Sequence, residues 1–181
     1  MIYNKVITLK NGMECRLRNG TEKDGQAVHD VFNLTHAETD YLLSYPDENS
    51  FTAEQESQFL KEKTESKNEI EIAAEVNGKI AGSAGINAIG SSCKVRHRAK
   101  FCINIAKEFW GMGSGRALAE ACIECAKNAG YTQLELEVVA NNNRAVEMYK
   151  KFGFVEFGRN PKGFDSRISC FQELVYMRPE L

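Results

Sequence analysis

The chain has 181 residues, with 23 Lys plus Arg against 25 Asp plus Glu, a formal net charge of −2. This length predicts a single domain over residues 1–181. The near-neutral charge argues against nucleic acid or an anionic membrane surface as a partner. A hydrophobic fraction of 43% excludes a disordered chain, and no apolar run approaches the roughly 20 residues that cross a bilayer.

Six cysteines are scattered along the chain, and the first residues lack the apolar stretch of a secretion signal. Cys122 and Cys125 have the CxxC spacing of metal and redox sites. However, neither a second CxxC nor a nearby pair of histidines accompanies them, and they lie in the middle of a predicted helix. We therefore expect buried thiols on an apolar helix face, no metal site and a cytoplasmic location.

Two Asn-Gly dipeptides, at residues 11–12 and 77–78, each separate two strand-like runs. Asn-Gly is the preferred pair in a type I′ turn because both of its central positions need a positive φ. The sequence therefore predicts one hairpin over residues 6–18 and another over residues 69–89.

Two helices are predicted between these hairpins from capping-box spacing, in which Ser or Thr precedes an acidic or amide residue by three positions. Thr21 with Asp24 predicts the start of a first helix of about sixteen residues, and Thr52 with Gln55 predicts the start of a second.

The second half of the chain is predicted to contain a long strand, the strongest helix of the chain, a sharply alternating strand, a short helix and two final strands joined by a Pro161-Lys162-Gly163 turn. The predicted ranges are, in that order, 94–106, 113–129, 132–140, 143–152, 154–159 and 168–177. The whole order, ββ αα βββ α β α ββ, is that of an α+β fold with a mixed sheet. Mostly antiparallel strands enclose one βαβ crossover, which should be right-handed.

Three alternate glycines, Gly111, Gly113 and Gly115, stand between the long strand and the strongest helix. This arrangement exposes backbone N–H groups at a helix N-terminus, where the helix dipole also favours an anion, and it predicts a phosphate or pyrophosphate cradle. A Walker loop is excluded because Gly-Lys-Ser/Thr is absent. A dinucleotide fingerprint, suggested by Glu135 about 20 residues later, needs a different glycine spacing. The alternative is that these glycines form an ordinary turn with no binding role.

Two segments resemble a known family. Residues 109–118, FWGMGSGRAL, are similar to the acyl-CoA pyrophosphate loop of the GNAT superfamily of N-acyltransferases, written R/Q-x-x-G-x-G/A, with Trp110 where Arg or Gln is commoner. Residues 141–154, NNNRAVEMYKKFGF, resemble the second block of that superfamily, with Tyr149 and Gly153 at its Tyr and Gly positions. The resemblance spans a core of about residues 14–178 and implies a GNAT-type mixed sheet with helices on both faces.

The resemblance also implies a function. The chain is expected to use acetyl-CoA as co-substrate, without a metal, and to acetylate a primary amine by direct attack in a ternary complex. The acceptor would be a small amine, a polyamine, an aminoglycoside or a peptide N-terminus. Two alternatives stay open, a non-catalytic module that binds and senses acyl-CoA and a nicotinamide oxidoreductase. A homodimer is left open as the oligomeric state.

Site residues follow from the resemblance. Tyr149 is expected to be the general acid that protonates the leaving thiolate, since a phenol stays protonated at neutral pH. Asn143 is expected to cap its helix and to contact the cofactor. The remaining expected cofactor contacts, made mainly by backbone groups, are Ile103, Asn104, Ile105, Met112, Gly113, Ser114, Gly115 and Arg116.

The general base and the acceptor site are less clear in the sequence. Many relatives carry a Glu on the strand before the phosphate loop, but Lys100 stands about there, and the base is therefore left unassigned. His97 is a weak alternative. Glu38, Asp40 and Tyr41 are candidates for binding a cationic acceptor, because acids in this region would attract an amine. A solvated acidic loop is the competing interpretation.

Overall fold

The computed structural model describes residues 1–181 as one eight-stranded mixed sheet with four α-helices. In spatial order the strands run β1-β2-β3-β4-β5-β6-β8-β7. The strands are β1 Asn4–Thr8, β2 Glu14–Asn19, β3 Ile70–Val76, β4 Lys79–Ala88, β5 Arg98–Ile105, β6 Gln133–Val139, β7 Val155–Ser166 and β8 Cys170–Arg178. The helices are α1 Gly25–Glu38, α2 Ala53–Glu65, α3 Ser114–Asn128 and α4 Asn143–Lys151. No helix is both long and apolar enough to cross a bilayer.

Both predicted hairpins are confirmed, but their turns differ. At the second, Asn77 and Gly78 both take a positive φ, 50° and 76°, as the predicted type I′ turn requires. At the first, only Gly12 does, with a φ of 86°, and the N–H of Leu9 donates to Met13 O at 2.8 Å. The prediction of a type I′ turn at Asn11-Gly12 is therefore wrong, because the loop that closes this hairpin is longer.

Both capping boxes are present. In α2, Thr52 Oγ1 accepts from the N–H of Gln55 at 3.3 Å, and Gln55 Oε1 accepts from the N–H of Thr52 at 2.9 Å. At the first helix, Asp24 Oδ2 accepts from the N–H of Thr21 at 2.8 Å. The box formed by Thr21 and Asp24 opens a short 3₁₀ turn, and α1 itself begins only at Gly25.

Helices cover both faces of the sheet, as the resemblance predicted. Along β3, Ile72 packs in the same apolar cluster as Leu118 of α3, whereas the next residue, Ala73, packs with Val28 of α1 and Leu60 of α2. Successive side chains of a strand point to opposite faces, so α3 lies on one face and α1 with α2 on the other. We call these the α3 face and the α1 face.

The CxxC pair lies on the buried side of α3. Cys122 is fully buried and Cys125 is 4% exposed. Burial raises the pKa of the Cys125 thiol to about 11, and the nearby Glu124 adds to this effect. Both thiols are free, and a buried protonated thiol is a poor nucleophile. The prediction that they pack as small apolar residues is confirmed.

The single crossover of the fold joins β5 through α3 to β6, which lie parallel. Their pairing covers only residues 98–100 of β5 with residues 133–135 of β6. Beyond it, β6 pairs with β8 on its other edge, while residues 101–105 of β5 keep only β4 as a partner. The sheet therefore opens between β5 and β6, at the carboxyl ends of both strands.

Two boundaries differ from the sequence prediction. The strand expected over 94–106 begins only at Arg98, because residues 93–97 form turns. The predicted turn at Pro161-Lys162-Gly163 is wrong, since it lies inside β7, at a register irregularity between Asn160 and Phe164. The true turn is at residues 167–169. Proline lacks an N–H, and β7 tolerates it because it is an edge strand with a bulge at that point.

Candidate active site

A cleft of about 540 Å³ occupies the opening between β5 and β6. This is the volume range of small-molecule sites. Its walls come from both faces of the sheet, which the opening connects. The lining includes residues 100–105 of β5, 136–138 of β6, the glycine-rich turn before α3, part of α4, and α1 with the loop at 41–44.

The glycine-rich turn lies at one end of this cleft. Gly111 and Gly113 take φ values of 79° and 100°, which L-residues with a side chain rarely adopt. Gly113 immediately precedes the first residue of α3, Ser114. The N–H groups of residues 111–116 donate to no acceptor within the protein. Unpaired N–H groups leading into the positive end of a helix dipole are a favourable arrangement for an anion.

The third glycine has a packing role. A Cβ at Gly115 would lie 3.0 Å from Ile105 Cδ1 of β5, so this position keeps the first turn of α3 close to the strand. The side chain of Arg116 pairs with Glu120 at 3.0 Å on the exposed surface of α3.

Trp110, which departs from the family pattern, is part of the wall. Its Nε1 donates to the carbonyl oxygen of Ile105 at 2.7 Å, which ties the loop to the last residue of β5. The guanidinium of Arg144 lies 5.6 Å from the centre of the indole ring. A Trp at this position thus fixes the loop through one hydrogen bond and holds a cation beside the anion site.

The β6-facing edge of residues 101–105 lacks a strand partner, since β5 pairs there only with β4. Unpaired backbone groups on a strand edge bind an extended ligand by adding to the sheet. Ile103, Asn104 and Ile105 line the cleft. The cleft is thus lined by the predicted strand residues 103–105 and by Gly113, Ser114, Gly115 and Arg116 of the loop, but not by Met112.

Tyr149 lines the same cleft from α4 and is only 5% exposed. Its ring lies edge-on to Phe101, with centroids 6.0 Å apart, and 5.5 Å from Phe154. Its hydroxyl makes no hydrogen bond within the protein. Burial raises the pKa of Tyr149 well above its ordinary value, and the nearby Cys102 and Cys122 add to this effect. The phenol is therefore protonated and free to donate.

The cap of α4 is Asn142 and not Asn143, which corrects the capping role expected for Asn143. Asn142 Oδ1 accepts from the N–H of Ala145 at 3.3 Å, and Asn142 also lines the cleft. Asn143 is the first helical residue and is exposed. An N-cap lies just before the first helical residue, and three consecutive asparagines gave no signal to choose between them.

The position where relatives carry a Glu is occupied here by an ion pair. Lys100 of β5 donates to Glu137 of β6 across the mouth of the opening. Burial lowers the pKa of Lys100, but the hydrogen bond and the charge of Glu137 raise it by more. Glu137 was not selected from the sequence, although the strict alternation of β6 put it on one face with Glu135. His97 does not line the cleft.

The candidate acceptor residues separate in the structure. Tyr41 lines the cleft, but Glu38 and Asp40 do not. Glu38 accepts from the backbone N–H of Lys107 at 2.7 Å, which ties the end of α1 to the turn after β5.

Asp40 joins the loop after α1 to the β7–β8 turn. Its Oδ2 accepts from Ser166 Oγ at 2.7 Å, from Ser169 Oγ at 2.6 Å and from Gln172 Nε2 at 3.0 Å. Burial alone would raise the pKa of Asp40, but the hydroxyl hydrogen bonds lower it. Both acids are therefore bound by the protein itself, and the acidic run predicted for acceptor binding is in part structural.

Two polar side chains that the sequence analysis did not select as acceptor contacts face the α1 half of the cleft. Asn104 Nδ2 donates to Ser83 Oγ at 3.3 Å, which leaves its buried Oδ1 without a partner. His36 Nδ1 bonds to the carbonyl oxygen of Phe32 at 2.7 Å, and Nε2 has no partner. No sequence motif marks His36, because its role comes from the packing of α1 over β4 and β5.

Comparison with known proteins agrees with this geometry. Residues 30–154 match the model of the Acetyltransferase (GNAT) family. The chain belongs to this family. An acetyltransferase of the GNAT family from Streptococcus pneumoniae is similar in structure, with a TM-score of 0.88 and 32% identity, covering 92% of this chain and 99% of that chain. The fold and the family resemblance predicted from the sequence are thereby confirmed.

Named relatives in the GNAT family are more distant. Mycothiol acetyltransferase of Jonesia denitrificans is 26% identical over 135 residues, which is 74% of this chain and 42% of that protein. Putative phosphinothricin acetyltransferase YwnH of Bacillus subtilis is 25% identical over 145 residues, 80% of this chain and 86% of that protein. The chain spans less than half the length of the mycothiol acetyltransferase and of N-alpha-acetyltransferase 30 from Schizosaccharomyces pombe.

Proposed function

We propose that the protein is an acetyl-CoA-dependent N-acetyltransferase that acts on a primary amine by direct transfer in a ternary complex. One observation carries the proposal: a run of unpaired N–H groups leading into α3 lies at the end of a cleft bounded by the free edge of β5. An anionic diphosphate fits the first feature, and an extended chain of amides fits the second.

The cofactor contacts are assigned on this basis. Backbone N–H groups of residues 112–116 hold the diphosphate, and the backbone of residues 103–105 pairs with the pantetheine amides. Lys10 and Arg144, which line the same end of the cleft, add positive charge beside it. Asn142 takes the place of Asn143 as the asparagine nearest the ligand. A carboxylate introduced into this wall by mutation would therefore repel the diphosphate.

Acetyl-CoA supplies a thioester carbonyl, and the protein polarises it with an N–H of residues 103–105. The amine nitrogen forms the C–N bond, the C–S bond breaks, and the electron pair goes to sulfur. Tyr149 then donates its proton to this thiolate, and the proton that the amine nitrogen loses on becoming an amide passes through solvent and restores the phenol. The buried thiols do not suit an acyl-enzyme route, because burial raises their pKa values.

A sensing module that binds acyl-CoA without turnover is the second candidate. The Lys100–Glu137 pair favours it, since a cation stands where relatives carry a catalytic Glu. Tyr149, a free proton donor within the cleft, favours catalysis. For the compartment we propose the reducing cytoplasm, where the protein's thiols would stay free.

The test compares two matched variants of α3. Gly113 and Gly130 lie at its two ends, both with positive φ and both with open space around a built Cβ. Gly113→Glu puts a carboxylate beside the diphosphate and should weaken CoA binding at least about tenfold by calorimetry. Gly130→Glu imposes similar backbone strain away from the cleft and should leave CoA affinity unchanged.

Thiol release from acetyl-CoA with an amine panel decides between the two candidates. Turnover together with a Gly113-specific loss of binding supports the enzyme. Tight CoA binding without turnover of any amine supports the sensing module. Equal CoA affinity in Gly113→Glu and the parent would contradict the assignment of the loop.

A further inference from the structure

The half of the cleft on the α1 face is chemically distinct from the half that holds the glycine turn. Side chains of β5 alternate between faces, so Lys100, Cys102 and Asn104 point to the α1 face while Phe101 and Ile103 point to the α3 face. The glycine turn belongs to α3. An acceptor that meets the thioester at the opening of the sheet therefore enters from the α1 face.

The wall of this half is mainly apolar. It is formed by the end of α1, the loop that follows, and β7. The apolar side chains are Phe32, Leu42, Leu43 and Phe164. Apolar lining favours the burial of a hydrophobic ligand surface by roughly 25 cal/mol per Å². A polyamine or an aminoglycoside has no comparable surface to bury.

The charge of this half is balanced. The titratable side chains that share it with His36 are Tyr41 of the loop, Lys100 and Cys102 of β5, and Glu137 of β6. Lys100 and Glu137 neutralise each other, and burial raises the pKa of the Cys102 thiol. Glu38 and Asp40 are bound elsewhere. The lining of this half therefore offers a ligand with several positive charges no carboxylate apart from the paired Glu137.

Asn104 of β5 and His36 of α1 each offer a neutral acceptor atom without a protein partner. Asn104 Oδ1 is buried and unpartnered, a state that costs free energy unless a ligand donor fills it. His36 stacks on Phe32, with ring centroids 3.7 Å apart, and its Nδ1–H donates to Phe32 O. That bond leaves Nε2 with its lone pair. Burial lowers the pKa of His36, although the bond to Phe32 opposes this effect, so the ring is neutral at pH 7.

We propose that the α1-face half of the cleft binds one primary amine carried on an apolar aromatic or branched aliphatic body, with His36 Nε2 and Asn104 Oδ1 accepting the hydrogen bonds of the amine. This proposal rests on the proposed acetyltransferase function. The bond to Nε2 also gives the ammonium a route to lose a proton, which frees the nitrogen lone pair for attack. This proton passes to the imidazole and then to solvent.

The experiment measures kcat/KM by thiol release with four amines: 2-phenylethylamine, 3-methylbutylamine, spermidine and kanamycin. The two apolar monoamines should exceed the two polycations by at least about tenfold, since each apolar group that fits a pocket contributes about that factor. A kcat/KM for spermidine or kanamycin that equals or exceeds that of the apolar monoamines would overturn the proposal while leaving the acetyltransferase function intact.

Binding is measured in parallel by calorimetry, adding 2-phenylethylamine to the CoA-loaded protein. Binding without thiol release would contradict the acetyltransferase function but support the subsite. If the apolar amines are neither bound nor acetylated, the subsite proposal is overturned.

A pair of matched variants tests the histidine. His36→Gln keeps a hydrogen-bonding side chain but removes the basic nitrogen, and it should lower kcat/KM for 2-phenylethylamine at least about tenfold with CoA affinity unchanged. His29→Gln alters a histidine on the same helix that does not line the cleft, and it should match the parent. Imidazole added to His36→Gln should restore part of kcat. Unchanged kinetics in His36→Gln would remove His36 from the proposal.

Discussion

Tyr149 shows how the surroundings of one residue can suit it to its proposed function. Its ring is held between Phe101 and Phe154, so its position is fixed by packing, while its hydroxyl is left without a protein partner. Burial keeps the phenol protonated by raising its pKa. A rigid, protonated donor facing a cleft is well suited to protonate a leaving group.

At this scale the first prediction concerns the hydroxyl alone. Tyr149→Phe retains the packing of the ring and should lower kcat by roughly 10²-fold or more, the usual contribution of a general acid, with little change in the Kd of CoA. Stopped-flow thiol release and calorimetry measure the two effects. Tyr176→Phe removes a phenol outside the cleft and serves as the control. A Tyr149→Phe enzyme as fast as the parent would mean that the thiolate takes its proton from another source.

Single residues also explain why part of the site was missed. Asn142 and Asn143 are equivalent in sequence, and only the position of the first helical residue shows that Asn142 is the cap. Likewise, His36 is marked by no motif. Its tautomer is set by a backbone carbonyl one turn away, and its exposure to the cleft is set by the packing of α1.

Between elements, the loop after α1 depends on the β7–β8 hairpin. Asp40 accepts hydrogen bonds from Ser166, Ser169 and Gln172, all of which belong to that hairpin or its turn. Tyr45 donates to the same carboxylate at 3.1 Å. One side chain therefore fixes the distance between two walls of the proposed acceptor subsite, the loop on one side and β7 on the other.

The second prediction tests this connection. Asp40→Asn removes the charge that strengthens these hydrogen bonds, and it should raise KM for the amine several-fold, with the Kd of CoA unchanged, because charge-assisted bonds are about twice as strong as neutral ones. Asp47→Asn breaks an exposed ion pair with Arg167 between the same two segments and should have little effect. An unchanged amine KM in Asp40→Asn would show that the loop is held by its other contacts.

At the scale of the whole molecule, the sheet is almost divided at the candidate active site. Only three residue pairs join β5 to β6 before the strands separate, and Arg98 reinforces this junction by binding both carboxylate oxygens of Glu135, at 2.5 and 2.9 Å. Within the first half, Arg18 and Asp24 form a bidentate pair at 2.8 Å.

The third prediction concerns global stability and pH. The hydrogen bonds from Arg18, opposed by burial and assisted by Thr21, lower the pKa of Asp24 to about 2. Because the folded pKa is lower than the unfolded value, the contribution of Asp24 is complete above about pH 4 and disappears as pH falls to about 2. Asp24→Asn should reduce the free energy of unfolding at pH 7 by about 2 kcal/mol.

Urea titrations of Asp24→Asn and the parent at pH 7 and pH 2.5 measure this difference, which should shrink sharply at the lower pH. Asp30→Asn changes an exposed carboxylate on α1 and is the control. A difference between Asp24→Asn and the parent that does not change with pH would mean that the loss comes from packing and not from charge.

The sequence by itself determined the order of the elements, the two hairpins, the capping boxes and the glycine-rich turn. These features depend on the local backbone preferences of a few adjacent residues. Only the tertiary structure decided that Glu38 and Asp40 are structural, that Lys100 pairs with Glu137 across the opening, and that His36 and Asn104 meet in one cleft. Those outcomes depend on where β5 and β6 separate and on how α1 packs over them, and contacts between residues far apart in the chain leave no local pattern to read.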